Sequence, residues 1–174
     1  MEYFIQQLIN GISVGSIYAL IALGYTMVYG IIKLINFAHG DVFMVGSFIG
    51  LFSAKYLASA GLPPVLVLII SLVFSMTVSA LLGITIERLA YKPLRKSTRI
   101  AALITAIGVS FLLEYTGVLI FGPQAQGFPD ILDKKQYQLF GTSIQVESNQ
   151  IMILIITIIL MIILQYIVRY TKTG

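Results

Sequence analysis

The chain is 174 residues long, 58% hydrophobic and only 10% charged, with a mean hydropathy of +0.96. A soluble domain carries about 25% charged residues, so this composition cannot coat a water-facing surface, and a soluble enzyme, a disordered tail and a nucleic-acid-binding module are excluded. The absence of cysteine and the single histidine exclude disulfide frameworks, thiol nucleophiles and multi-histidine metal sites.

A bilayer core of roughly 30 Å is crossed by about 20 apolar residues in a helix. Five stretches meet that need. Residues 4–32 and 65–86 carry no charge, and neither does 151–168. Residues 36–54 are interrupted only by His39 and Asp41, and 100–121 only by Glu114. The expected fold is therefore all-α, a polytopic transmembrane bundle of five spans.

The first span opens on Met1-Glu2-Tyr3, without the basic start of a secretory signal peptide. It exceeds one bilayer crossing, so either it tilts or its polar start, Gln6, Gln7 and Asn10, lies in the headgroup layer. Gly11 and Gly15 form a GxxxG pair, Gly46 and Gly50 form another, and Ser79 and Gly83 form a small-xxx-small pair. Lipid tails are as apolar as leucine, so membrane helices associate through close backbone approach at such positions. Packing is the simplest reading of these pairs, and a path lined by glycines is the alternative.

Asn36-Phe37-Ala38-His39-Gly40-Asp41 is the most informative segment. Ionisable groups beside hydrocarbon are costly unless paired or hydrated, which marks them as candidates for function. Asn36 is placed to cap a helix starting at Phe37. His39 and Asp41 are two residues apart and so point to different helix faces, which argues against a catalytic pair. Satisfaction of helix ends near the interface competes here with a proton-relay or substrate role.

The 87–99 loop carries Arg88, Lys92, Arg95, Lys96 and Arg99. A loop between two spans points to topology rather than nucleic acid. With this loop in the cytoplasm, Lys33, Arg169 and Lys172 fall there too, and only Lys55, Lys134 and Lys135 lie outside. The N-terminus is therefore expected outside and residue 174 inside. Pro93 blocks one continuous helix across the loop. Glu114, in the fourth span, is a possible intramembrane charge that either pairs structurally or serves function. Residues 122–150 form the one long loop, expected to be external. The alternating stretch Tyr137-Gln138-Leu139-Phe140 suggests a hairpin within it. No phosphate-binding loop, HExxH or GxSxG motif is present, so ATP, if used, binds another chain.

Several stretches together resemble a known family. They are Asn10-Gly11 with Gly15-Ser16-Ile17-Tyr18-Ala19-Leu20, then Gly24-Tyr25-Thr26-Met27-Val28-Tyr29-Gly30-Ile31-Ile32 and Ile35-Asn36-Phe37-Ala38-His39-Gly40-Asp41. Glu87-Arg88-Leu89-Ala90-Tyr91-Lys92-Pro93-Leu94-Arg95 and Ala102-Leu103-Ile104-Thr105-Ala106-Ile107-Gly108 complete the set. The whole chain resembles the N-terminal half of the LivH-type permeases, membrane subunits of bacterial branched-chain amino acid ABC transporters. The resemblance implies a second homologous permease subunit, two cytoplasmic ATPase subunits and an extracytoplasmic substrate-binding protein as partners, in the bacterial inner membrane. It implies no cofactor on this chain and no enzymatic activity of its own.

In the family, a basic segment that docks on the ATPase lies beyond the stretch ending here at Arg169-Tyr170-Thr171-Lys172-Thr173-Gly174, so a truncated chain is expected. Under this reading Gly11, Ser13, Gly15, Ser16, Asn36, His39 and Asp41 are the candidate path residues. Related permeases handle urea, short amides or other amino acids. An ion-coupled transporter or channel using His39, Asp41 and Glu114 is the alternative from another class, and a packing subunit without a pathway is a third.

Overall fold

A computed structural model describes residues 2–32, 36–131, 136–138 and 145–170. Five helices and one hairpin follow in chain order: α1 (Glu2–Ile32), α2 (His39–Ser59), α3 (Pro64–Ile86), α4 (Arg99–Phe121), β1 (Gln136–Gln138), β2 (Gln145–Glu147) and α5 (Ser148–Tyr170). All five helices are long and apolar enough to cross a bilayer. The all-α expectation holds. Of the cations that set the expected orientation, Lys33, Lys134, Lys135 and Lys172 lie outside the described residues, as do Leu139, Phe140 and Gly174.

The chain divides into two compact units, Met1–Ile31 with Asp133–Gly174, and Ile32–Leu132. In the first, β1 and β2 pair antiparallel, with Tyr137 opposite Val146. The expected hairpin is present, with Val146 buried, although Leu139 and Phe140 of the alternating stretch lie outside the described residues. α5 starts directly after β2.

In the second unit α2, α3 and α4 pack around small residues. The α2–α3 turn needs Gly61, whose φ is +75°, a conformation that costs a residue with a Cβ. Pro63 and Pro64 follow, and Pro64 opens α3 where a missing N–H is harmless. Along the α2–α3 seam the Ser75 hydroxyl donates to the Gly46 carbonyl at 2.5 Å. A Cβ on Gly46 would stand 2.5 Å from Ser79 Oγ, and one on Gly50 would stand 3.7 Å from Ser75. Ser71, one turn before Ser75, is buried, and its hydroxyl makes no hydrogen bond among the described residues.

Thr98 caps α4 by accepting from the Ala101 N–H. Gly122, with φ +85°, closes its far end. Between α3 and α4 the backbone makes a π turn over Glu87–Tyr91 and a 3₁₀ turn over Lys92–Lys96. This is the break that Pro93 dictates. Phe48 and Phe52 of α2 stack with Phe121 of α4, Phe48 at 4.4 Å between ring centres.

Large apolar side chains point outward on every helix. Leu119 is 85% exposed, and Phe4, Val65 and Ile162 are also exposed. Such a surface is unstable in water and suited to hydrocarbon. The buried set is correspondingly small: Val67 is 1% exposed, and Ile86, Tyr91 and Ala106 form the cluster under the α3–α4 connection.

Candidate functional site at the head of α2

The segment Asn36–Asp41 lies in the second unit, and the fold fixes it through two side chains that sequence reasoning did not single out. The first is Tyr91, in the π turn. Its hydroxyl donates to Asn36 Oδ1 at 2.6 Å. The same oxygen accepts from the Ala38 N–H at 3.1 Å, closing a local turn. The Asn36 carbonyl accepts from the His39 N–H at 3.2 Å. Asn36 therefore does not cap a helix starting at Phe37. α2 begins at His39 after Ala38, which makes no side-chain cap, and Asn36 is consumed by the turn that precedes it. Losing the Tyr91 hydroxyl should cost about 1 kcal/mol, the ordinary net value of a hydrogen bond. Tyr91→Phe is expected to lower the thermal midpoint by a few degrees in detergent, and an unchanged midpoint would show the bond contributes nothing.

The second side chain is Ser110 of α4. Its hydroxyl donates to Asp41 Oδ2 at 2.5 Å. Asp41 lies in the first turn of α2, where a negative charge complements the free N–H groups of the helix end. His39 and Asp41 are both half-buried. The arrangement is a polar knot: Asn36 is held from the α3–α4 connection and Asp41 from α4. No group of three or more metal-ligating side chains occurs among the described residues.

The remaining candidate residues fall as follows. Ser13 is buried, whereas Gly11 and Gly15 are exposed with no atom within 4 Å of an added Cβ. The Ser16 hydroxyl donates to the Ile12 carbonyl at 2.7 Å, one turn back. These four belong to the first unit, and Asn36, His39 and Asp41 to the second. Gly46 and Gly50 meet Ser75 and Ser79 across the α2–α3 seam, whereas an added Cβ on Gly83 would meet open space. Glu114 is exposed on α4.

Sequence reasoning also passed over Gly117 of α4, where a Cβ would stand 2.9 Å from the Met44 methyl. An apolar groove of about 390 Å³ lies along α2 against residues 124–128, lined by Phe43, Phe48, Leu51 and Phe128 among others.

A family profile described as the permease component of branched-chain amino acid transport systems matches residues 7–174. The chain is 40% identical to the high-affinity branched-chain amino acid transport system permease protein BraD of Pseudomonas aeruginosa, over 99% of this chain and 57% of that protein. It is 39% identical to the LivH permease protein of the same kind of system in Escherichia coli K12, and 38% identical to that of Salmonella typhimurium, with the same coverage. The chain thus spans little more than half the length of these relatives. No solved structure matches it.

Proposed function

We propose, since this chain belongs to the family of permease components of branched-chain amino acid transport systems, that it supplies five spans to an ATP-driven importer of leucine, isoleucine and valine. Its partners in this reading are a second permease subunit, two cytoplasmic ATPases and an extracytoplasmic binding protein. It sits in the bacterial inner membrane with the N-terminus outside. The chain performs no chemistry on the amino acid. It offers a weak, transient polar route, and the ATPases decide which side is open.

The observation that carries this reading is the polar knot at the head of α2. One hydrogen bond joins the turn before α2 to the connection that bears Arg88 and Lys92, and a second joins α2 to α4. Force applied to that connection by a cytoplasmic motor would reach α2 and α4 together. Coupling between an ATPase and a membrane pathway requires contacts that carry motion from one helix to the next.

The test is uptake by the assembled importer in proteoliposomes. Asn36→Ala and Asp41→Ala should each cut ATP-driven leucine uptake about tenfold, the effect of roughly 1.4 kcal/mol on a transport barrier, while the affinity of the binding protein for leucine stays unchanged. Full uptake in both variants would remove the knot from the mechanism. Uptake that follows a proton gradient and ignores ATP would replace this reading with the ion-coupled one.

A further inference from the structure

A second polar constellation lies in the first unit, away from the α2 knot. Gln6 and Asn10 of α1, Gln145 and Glu147 of β2, and Gln150 of α5 line a pocket of about 410 Å³. That volume is within the roughly 300–1,000 Å³ of small-molecule sites. The pocket is built, not incidental. The Gln6 side chain pairs with the backbone of Gln145 as a strand would, donating to its carbonyl at 2.9 Å and accepting from its N–H at 2.8 Å. Asn10 Oδ1 accepts from Gln6 Nε2 at 3.3 Å and from Gln150 Nε2 at 2.9 Å. Gln150 Oε1 accepts from the Glu147 N–H at 3.3 Å.

Three amide side chains are thus locked in place, and the functional groups left over are complementary. The Asn10 oxygen accepts two hydrogen bonds, and among the described residues its NH₂ group makes none while Gln150 Nε2 donates only one. The Glu147 carboxylate makes no hydrogen bond or ion pair among the described residues. Asn10, Glu147 and Gln150 are each half-buried and line the pocket. Fixed amide donors suit a carboxylate, and a fixed carboxylate suits an ammonium group. The small molecule that presents both within a few ångströms is an α-amino acid zwitterion.

We propose that this pocket is a head-group subsite for a free α-amino acid, with Glu147 receiving the ammonium group and the amides of Asn10 and Gln150 the carboxylate. The inference rests on the importer reading above and deepens it. It adds a place where the amino acid meets the permease: with the N-terminus outside, the pocket lies on the extracytoplasmic side. Recognition there falls on the head group, since the described residues that line the pocket are all polar.

The test is equilibrium binding of radiolabelled leucine to the assembled permease–ATPase complex in nanodiscs without the binding protein, alongside ATP-driven uptake with it. Three probes are compared as competitors: leucine, its 2-hydroxy acid and its methyl ester. The wild-type complex should bind leucine at least tenfold more tightly than either analogue. Glu147→Gln should narrow the preference for leucine over the hydroxy acid to under threefold while leaving the ester discrimination intact. Asn10→Ala should do the reverse. A structural role alone would lower both affinities together and leave the ratios unchanged, and that result overturns the proposal. Wild-type complex that takes up leucine with ATP yet shows no preference among the probes overturns the subsite and leaves the importer standing. Absence of any ATP-driven uptake by the wild type overturns both.

Discussion

Replacing Gly46 by leucine is expected to separate α2 from α3 and to give the largest loss of stability of any single substitution in the second unit. Even one added carbon would stand 2.5 Å from Ser79 Oγ, and the Ser75 hydroxyl would lose its bond to the Gly46 carbonyl. Alanine is tolerable because the clashing atom is the end of a short side chain that can rotate. Leucine is not, because the seam has no room for a branched chain. Overpacking a tight contact costs about 1–3 kcal/mol, and the lost hydrogen bond adds about 1 kcal/mol. Thermal unfolding in detergent should show a midpoint many degrees lower for Gly46→Leu and nearly unchanged for Gly83→Ala, whose added Cβ meets open space. Equal midpoints would mean that the seam does not hold the helices together.

The second large effect is expected at the Asp41–Ser110 pair. A hydrogen bond to an ionised carboxylate contributes about 1.5–3 kcal/mol, and stranding the charge without its donor costs more than removing both partners. Ser110→Ala should therefore destabilise the protein by roughly 2 kcal/mol and sharply reduce uptake. Asp41→Asn in the Ser110→Ala background should recover part of the stability, because the uncompensated charge is gone. A double-mutant cycle on unfolding free energy reads the coupling directly. Strictly additive effects would show that the two side chains do not act as a pair.

The spans were legible because a helix that crosses hydrocarbon tolerates almost no charge, and the loops collected nearly all of it. The break between α3 and α4 was legible from Pro93, and a hairpin was expected in the long loop, where β1 and β2 pair. The head of α2 was not. Asn36 looks like a cap by residue type, but its oxygen is spent on Ala38 and on a tyrosine 55 positions away. No local pattern signals that pairing. Ser110 is one hydroxyl on an apolar helix, and its role follows from facing Asp41 across 69 positions of sequence. The GxxxG rule found Gly46 and Gly50, yet it could not tell them from Gly11 and Gly15, whose surroundings are open within the first unit. Gln6 and Asn10 read as headgroup residues because an amide near a helix end has no distinctive spacing. Their partners lie about 140 positions downstream.

The proposed transport role requires the chain to thread the bilayer five times with the 87–99 connection in the cytoplasm. The protein contains no cysteine, so a single introduced thiol can be labelled without background. In sealed right-side-out vesicles a membrane-impermeant maleimide should modify Gln126→Cys at once and Ser97→Cys only after the membrane is breached. Immediate modification of Ser97→Cys with Gln126→Cys protected would place the 87–99 connection outside and contradict the proposed topology.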